Sequence, residues 1–287
     1  MSEIMIKVNN VAFSYTKKSF LENINFEVKK GEIFGLLGPS GAGKSTLQKI
    51  LTGLLNEYKG SAIINGVESK NHTNSFYEKI GVDFEFPSLY EKLTAKENLK
   101  YFGSLYKRKT KSIDELLEIV GLHNDADKKV AGFSKGMKSR LNFIKSLVHN
   151  PDILFLDEPT SGLDPTNARI MKDIIIKERE AGKTIILTTH NMEDATELCD
   201  RVAFIVDGHI KAMDTPHHLI MSRGACKVSY SFINMKGSEI VNTISLSGIG
   251  SDMVLQDLIK NNKLISIHSS EPNLNDIFME VTGRVLQ

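Results

Sequence analysis

Cysteine is scarce in this sequence: two in 287 residues, Cys199 and Cys226, far apart and with no CxxC pair. That excludes a disulfide framework, offers no structural zinc site and suits a reducing, cytoplasmic setting, with both thiols packed or partly exposed as small apolar groups. Long apolar runs are missing too. Nowhere do about 18 consecutive apolar residues occur, so no membrane span is expected, and the opening MSEIMIKVNN lacks the basic flank and apolar region of a secretory signal. Nor does one sign of charge dominate. The 36 basic and 35 acidic residues sum to +1, so no global field draws the chain to nucleic acid or to an anionic membrane. Internal repeats and low-complexity segments are likewise absent. What remains is a folded chain: 41% hydrophobic residues over 287 positions can build one large domain or two modest ones.

The first thirty residues read as short strands at Ile4 to Val8, 11 to 15 and Asn23 to Val28, closed by the turn pair Lys30-Gly31. Ile33 to Leu37 has no polar side chain, the pattern of a strand buried on both faces of a parallel sheet. A glycine-rich loop follows, then Leu47, Ile50, Leu51 and Leu54 at helical spacing. From about 83 to 150 the pattern is helical: Thr94 to Tyr106, Ser112 to Val120, and about 135 to 149 with Ser134 as its cap. The basic run Lys107, Arg108, Lys109 and Lys111 reads as a solvated loop. Ile153 to Leu156, Thr184 to Thr188 and Val202 to Val206 are further strands, with a helix at 167 to 180. Strands alternating with helices imply a doubly wound α/β sheet with its ligand at the strand carboxyl ends. Beyond 213 a near-neutral tail shows strands at Lys227 to Ile233 and Lys263 to His268 and a helix through Leu274, Ile277, Phe278 and Val281. His209, Asp214, His217 and His218 lie close in sequence, but Thr215-Pro216 reads as a turn and no metal spacing is met.

Gly38-Pro39-Ser40-Gly41-Ala42-Gly43-Lys44-Ser45, followed by Thr46, matches GxxxxGK[ST]. Glycine is required because the loop amides must converge on phosphate oxygens, which takes unusual φ angles and close approach. Lys44 can reach the outer phosphates, Ser45 can place its hydroxyl on Mg²⁺, and the following helix adds its dipole, so nucleotide binding is expected. Asp157 and Glu158 end an apolar strand: Asp157 suits the water shell of Mg²⁺, and Glu158 suits a general base for in-line displacement. His190 ends the next strand. Alone it reads as a structural histidine; beside the other two sites it can hydrogen-bond the γ-phosphate and report its presence.

Together these residues resemble the ATPase subunit of ATP-binding cassette (ABC) transporters, over nearly all of residues 1 to 212. The likeness rests on the Walker A loop at 38 to 46, the signature-like Phe133-Ser134-Lys135-Gly136-Met137, Walker B at 153 to 158, the D-loop Ser161 to Asp164 and the switch His190. It implies a P-loop cassette with an antiparallel β subdomain, a helical subdomain at about 83 to 150, and a small α+β extension at 213 to 287. By resemblance Tyr15 stacks on adenine, Ser134 and Gly136 face the γ-phosphate held by a partner subunit, and Asp164 couples the two sites. Alone, Ser134 reads as a helix cap and no more. The SKGM form of the signature resembles the exporters of drugs, antibiotics and polysaccharides, and the closing SSEPNLNDIFMEVTGR resembles the end of that branch. Glu85 stands where the family has the glutamine of its Q-loop; a carboxylate can still ligand Mg²⁺, yet it adds negative charge beside the triphosphate.

The resemblance implies an ATPase with Mg²⁺ as cofactor, paired with itself or with a second cassette, that powers a separate transmembrane permease from the cytoplasmic face. The expected cargo is a drug, a peptide antibiotic or another amphipathic compound. A soluble ATPase acting on ribosomes or DNA, and a regulatory module that holds ATP without turnover, are the alternatives.

Overall fold

A computed structural model describes residues 3–223, 227–234, 237–270 and 272–283. Cys226 lies outside them. The chain divides into two compact units, Met1–Thr215 and Pro216–Leu286.

In chain order the first unit holds β1 (Ile4–Phe13), β2 (Leu21–Lys29), β3 (Ile33–Leu37), α1 (Lys44–Leu51), β4 (Lys59–Ile64), β5 (Val67–Glu68), α2 (Asn74–Tyr77) and β6 (Ile80–Asp83). The helices α3 (Ala95–Ser104), α4 (Ile113–Ile119) and α5 (Lys135–Leu147) come next. Then follow β7 (Ile153–Asp157), α6 (Pro165–Glu180), β8 (Thr184–Thr189), α7 (Met192–Leu198), β9 (Arg201–Val206) and β10 (His209–Asp214). The second unit holds α8 (Pro216–Arg223), β11 (Lys227–Ile233), β12 (Glu239–Ser245), α9 (Met253–Lys260), β13 (Leu264–Ser270) and α10 (Leu274–Thr282).

Six strands form the sheet that matters for chemistry, in the order β10-β9-β3-β8-β7-β6. The five from β9 to β6 run parallel, and β10 joins as an antiparallel edge. Every residue of β3, β7 and β8 is buried, as in a parallel sheet covered on both faces. Parallel strands all point one way, so the ends of β3, β7 and β8 gather at one edge. A second, antiparallel sheet, β2-β1-β4-β5, closes over a shared core of Ile6, Ile24, Phe34, Leu47, Ile64 and Phe155.

Helices of the middle segment begin where side-chain oxygens can accept the first free amides. Thr94 and Glu97 form a reciprocal capping box on α3, Ser112 caps α4 and Ser134 caps α5. The basic run after α3 is not simply solvated. Both carboxylate oxygens of Glu78 accept the backbone amides of Lys107 and Arg108, and the Arg108 guanidinium pairs with Asp152 at 3.0 Å. Arg108 thereby ties the helical segment to the sheet.

Other departures from the sequence pattern have local causes. The two strands expected before residue 15 are one, because Asn10, at φ 49°, forms a bulge between Val8 and Val11 that lets β1 continue to Phe13. Thr215-Pro216 is a helix start, with Pro216 opening α8 where a missing N–H costs nothing. In the second unit β11 is the centre of three strands, β12-β11-β13, packed against Leu255 and Leu258 of α9. The sequence pattern shows neither β12, whose residues are all exposed or half-exposed, nor α9. His209 hydrogen-bonds to the Asp207 carbonyl and faces Glu22, and among the described residues no group of three or more His, Cys, Asp or Glu could hold a metal ion.

Candidate active site

The loop after β3 is held by close packing on two neighbours. A Cβ at Gly38 would lie 2.1 Å from the carbonyl oxygen of Ile205 in β9, so only glycine fits there. Gly43 precedes α1 at φ 111°, and a Cβ on it would meet Leu21 at 2.5 Å. Between these points the loop bends back on itself, with the Ala42 amide donating to the Pro39 carbonyl. Lys44 opens α1 and is only 7% exposed. Its ammonium donates to the carbonyls of Gly38 at 2.7 Å and Pro39 at 3.2 Å, which centres it in the loop. Burial pushes the Lys44 ammonium below its usual range, and the carboxylates of Glu158, Asp157 and Glu85 oppose that.

Those carboxylates arrive from separate elements. Asp157 ends β7 and stands opposite Thr188 of β8 in the parallel register. Thr188 donates a hydrogen bond to Asp157 Oδ1, and Ser45 Oγ reaches the same oxygen at 3.3 Å. Glu158 continues past the strand at φ 52°, with its amide donating to the Thr188 carbonyl. That turn swings its carboxylate sideways, where Oε1 lies 2.9 Å from Nδ1 of His190. The shared edge of β7 and β8 therefore joins two acids, a hydroxyl and an imidazole that lie about thirty positions apart in the chain.

A cleft of about 260 Å³ runs along this edge. Ser40 to Thr46 form its floor, and Glu85, Glu158 and His190 form its far wall. Its size suits a triphosphate rather than a whole nucleotide. Ser45, Asp157 and Glu85 carry hard oxygen donors of the kind Mg²⁺ prefers; the contact at 3.3 Å sets Ser45 and Asp157 side by side, so that pair fits the ion, and Glu85 lines the same cleft as Ser45.

Some expected site residues stand apart from the cleft wall. Tyr15 is 56% exposed, and its hydroxyl meets that of Thr46 at 3.0 Å, so it flanks the loop from outside. Ser134 and Gly136 lie at the start of α5, where Ser134 Oγ accepts the Met137 amide, and neither lines this cleft. Asp164 caps α6 through the Asn167 amide at 3.1 Å. Cys199 is buried, with its thiol pushed up by burial, against the position a Cβ of Gly35 would take.

Three contributors escape the sequence pattern. Phe20 lines the cleft and meets Tyr15 edge-on at 5.5 Å. Thr188 orients Asp157. Asp83, at the end of β6, is 4% exposed; burial raises its carboxyl to about 7, against the pull of Lys145 and a hydrogen bond from Asn142. An aspartate closing an otherwise apolar strand beside Glu85 was the one visible signal.

The ABC transporter family model matches residues 21–161. The fluoroquinolones export ATP-binding protein of Mycobacterium tuberculosis is 47% identical to this chain, over 98% of it and 94% of the relative. The linearmycin resistance ATP-binding protein of Bacillus subtilis is 34% identical over 99% of this chain and 100% of the relative. The Nod factor export ATP-binding protein I of Rhizobium meliloti is 34% identical, covering 99% and 90%. Among solved structures, the ATP binding subunit of an ABC transporter aligns with TM-score 0.70 and 29% identity over 76% of this chain and 92% of its own. A dimeric ATP-binding cassette in a post-hydrolysis state, bound to ADP and Pi, aligns with TM-score 0.67 and 26% identity over 74% and 98%.

Proposed function

This chain belongs to the ABC transporter ATP-binding subunits, and from that membership we propose how the residues of its cleft divide the work of ATP hydrolysis. It is the ATPase subunit of an export system and powers a separate membrane permease. Among the described residues no helix is long and apolar enough to cross a membrane, so the path for cargo belongs to that permease. The cargo is a drug, a peptide antibiotic or another amphipathic compound; relatives named for fluoroquinolone export and linearmycin resistance support the drug class.

In this reading the N–H groups of Gly38 and of Ser40 to Thr46 and the Lys44 ammonium hold the β- and γ-phosphates, and Ser45, Asp157 and Glu85 hold Mg²⁺. The ion, when bound, would offset charge between the outer phosphates. Adenine lies outside the small cleft, against the exposed ring of Tyr15. Glu158 takes a proton from the attacking water. Its contact with His190, Oε1 to Nδ1 at 2.9 Å, fixes how the imidazole is turned and leaves Nε2 as the ring nitrogen free to face phosphate. Ser134 and Gly136 serve the cleft of a partner subunit, either a second copy or another cassette, and Asp164 lies at that interface. The exposed Phe86, Tyr90, Tyr101 and Leu105 supply the apolar surface on which the permease docks, which keeps the chain at the cytoplasmic face of the membrane.

The observation that carries this reading is the 2.9 Å contact of Glu158 and His190 at the mouth of a glycine-rich loop whose lysine is buried. Steady-state phosphate release by the purified chain tests it. Parent protein should turn over ATP and a Lys44→Ala variant should not; equal release from both would refute it.

A further inference from the structure

The segment carrying Glu85 is fastened to α5 rather than to the sheet it leaves. Asn142, in the middle of α5 and 3% exposed, uses both ends of its amide on that segment. Its Nδ2 donates to Asp83 Oδ1 at 2.5 Å and to the Phe84 carbonyl at 3.3 Å, and its Oδ1 accepts the Ser88 amide at 3.2 Å. One turn along, the Lys145 ammonium donates to the Ser88 carbonyl at 3.0 Å. Glu85 therefore sits between two anchor points, residues 84 and 88, that are both set by one helix.

Stability alone does not call for this arrangement. A buried aspartate and a buried asparagine each lose hydration, and an apolar pair of similar size would serve the core as well or better. What the polar pair adds is direction, since an amide with three of its four hydrogen-bonding positions engaged has one orientation. A small cavity of about 80 Å³ lies beside the pair, walled by Asp83, Glu85, Asn142, Asp157 and Glu158, so the fastening is at the edge of the hydrolytic cleft. The same helix begins at Ser134 and Gly136.

We propose that Asn142 is a positioning residue for Glu85: its amide makes residues 83–88 and α5 one body, so that docking of Ser134 and Gly136 on the partner subunit's nucleotide sets where Glu85 stands in its own cleft. The proposal rests on the functional reading above. It assigns Asp83 and Asn142 a part in joining the two nucleotide sites, and it makes Glu85 the moving end of that joint.

Three variants of the full chain test it by hydrogen exchange and by magnesium dependence. Asn142→Ala removes the clamp. Asp83→Val with Asn142→Ala removes both buried side-chain partners together, so that neither polar side chain is left facing an apolar one, and guards against simple unfolding. Asp83→Asn with Asn142→Asp exchanges donor and acceptor: the carboxylate moved onto α5 can accept from residue 83 and from the Ser88 amide, which restores two of the three ties and gives up the one to the Phe84 carbonyl. In the parent, ATP-driven dimerisation of a Glu158→Gln background should slow exchange at the amides of Phe84, Glu85, Phe86 and Ser88. That slowing should vanish in the alanine variant and in the apolar pair, even where the apolar pair matches the parent in thermal midpoint, and return in the exchanged pair. With Glu158 intact, the Mg²⁺ concentration for half-maximal ATPase should rise about tenfold in the first two and recover in the third, the size of effect expected when a residue that orients a metal ligand is lost. An apolar pair with the parent's exchange pattern and Mg²⁺ dependence would overturn the inference and leave the functional reading intact. A parent that neither binds nor hydrolyses ATP would bring down both.

Discussion

Glu158 Oε1 and His190 Nδ1 stand 2.9 Å apart, on turns that leave adjacent parallel strands. His190 is half exposed, and Glu158, past its strand in a left-handed turn, is 12% exposed. Replacing Glu158 by Gln keeps the shape and removes the carboxylate proposed as the base. Turnover should fall by about two to four orders of magnitude, as expected for loss of general base catalysis, with nucleotide affinity retained. Light scattering in ATP should then show a stable dimer; a variant that stays monomeric and hydrolyses at the parent rate would contradict the assignment.

Tyr15 offers a cleaner separation of ring from hydroxyl. If the ring stacks on adenine, Tyr15→Phe keeps ATP affinity and Tyr15→Ala lowers it by roughly two- to tenfold, the loss of one aromatic stacking contact. If its chief duty is the hydrogen bond to Thr46, both variants lose affinity alike. Fluorescent nucleotide titration distinguishes the two.

Glu85 faces the same loop as Lys44 and brings a negative charge toward a polyanionic substrate. Glu85→Gln should raise ATP affinity roughly two- to fivefold, the scale of one partly screened charge, and the gain should shrink in high salt. An unchanged ATPase rate with unchanged transport would count against any special role for the carboxylate.

His149 supplies a pH dependence of stability. Its ring stacks on Tyr106 at 3.7 Å, and its Nε2 meets the Ile80 carbonyl at 2.9 Å. Burial lowers its pKa from 6.5 to about 4, with help from Arg108 and Lys183 and against Glu78. A depressed folded value means the unfolded chain takes up the proton first. The contribution is therefore complete above about pH 6.5 and is lost as pH falls toward 4. Between pH 7 and pH 5 the parent should lose about 2 kcal/mol more unfolding free energy than a His149→Phe variant, measured by urea titration. Equal losses would place His149 in water.

Much of the cleft was legible in the sequence because its determinants are local. Gly38 to Thr46 spell out their own bend, and Asp157, Glu158 and His190 each end an apolar run. The contacts among them were not legible. Thr188 orients Asp157 only because β7 and β8 are neighbours in register, and Asn142 meets Asp83 across 59 positions of chain. Strand β12 escaped because an exposed edge has no alternation to read, and the bulge at Asn10 disguised one strand as two. Arg108 looked like part of a solvated charge run because its partners, Glu78 and Asp152, are remote in sequence.

Ser134 and Gly136 lie off the wall of their own cleft, and that placement bears on the rate law. If two chains must meet to complete a site, turnover per chain is not a constant of the molecule. It should rise with chain concentration, level off once pairs predominate, and fall on dilution. A permease that holds two cassettes together would remove that dependence, so the order of reaction in protein reports whether the subunit is working alone or within its assembly.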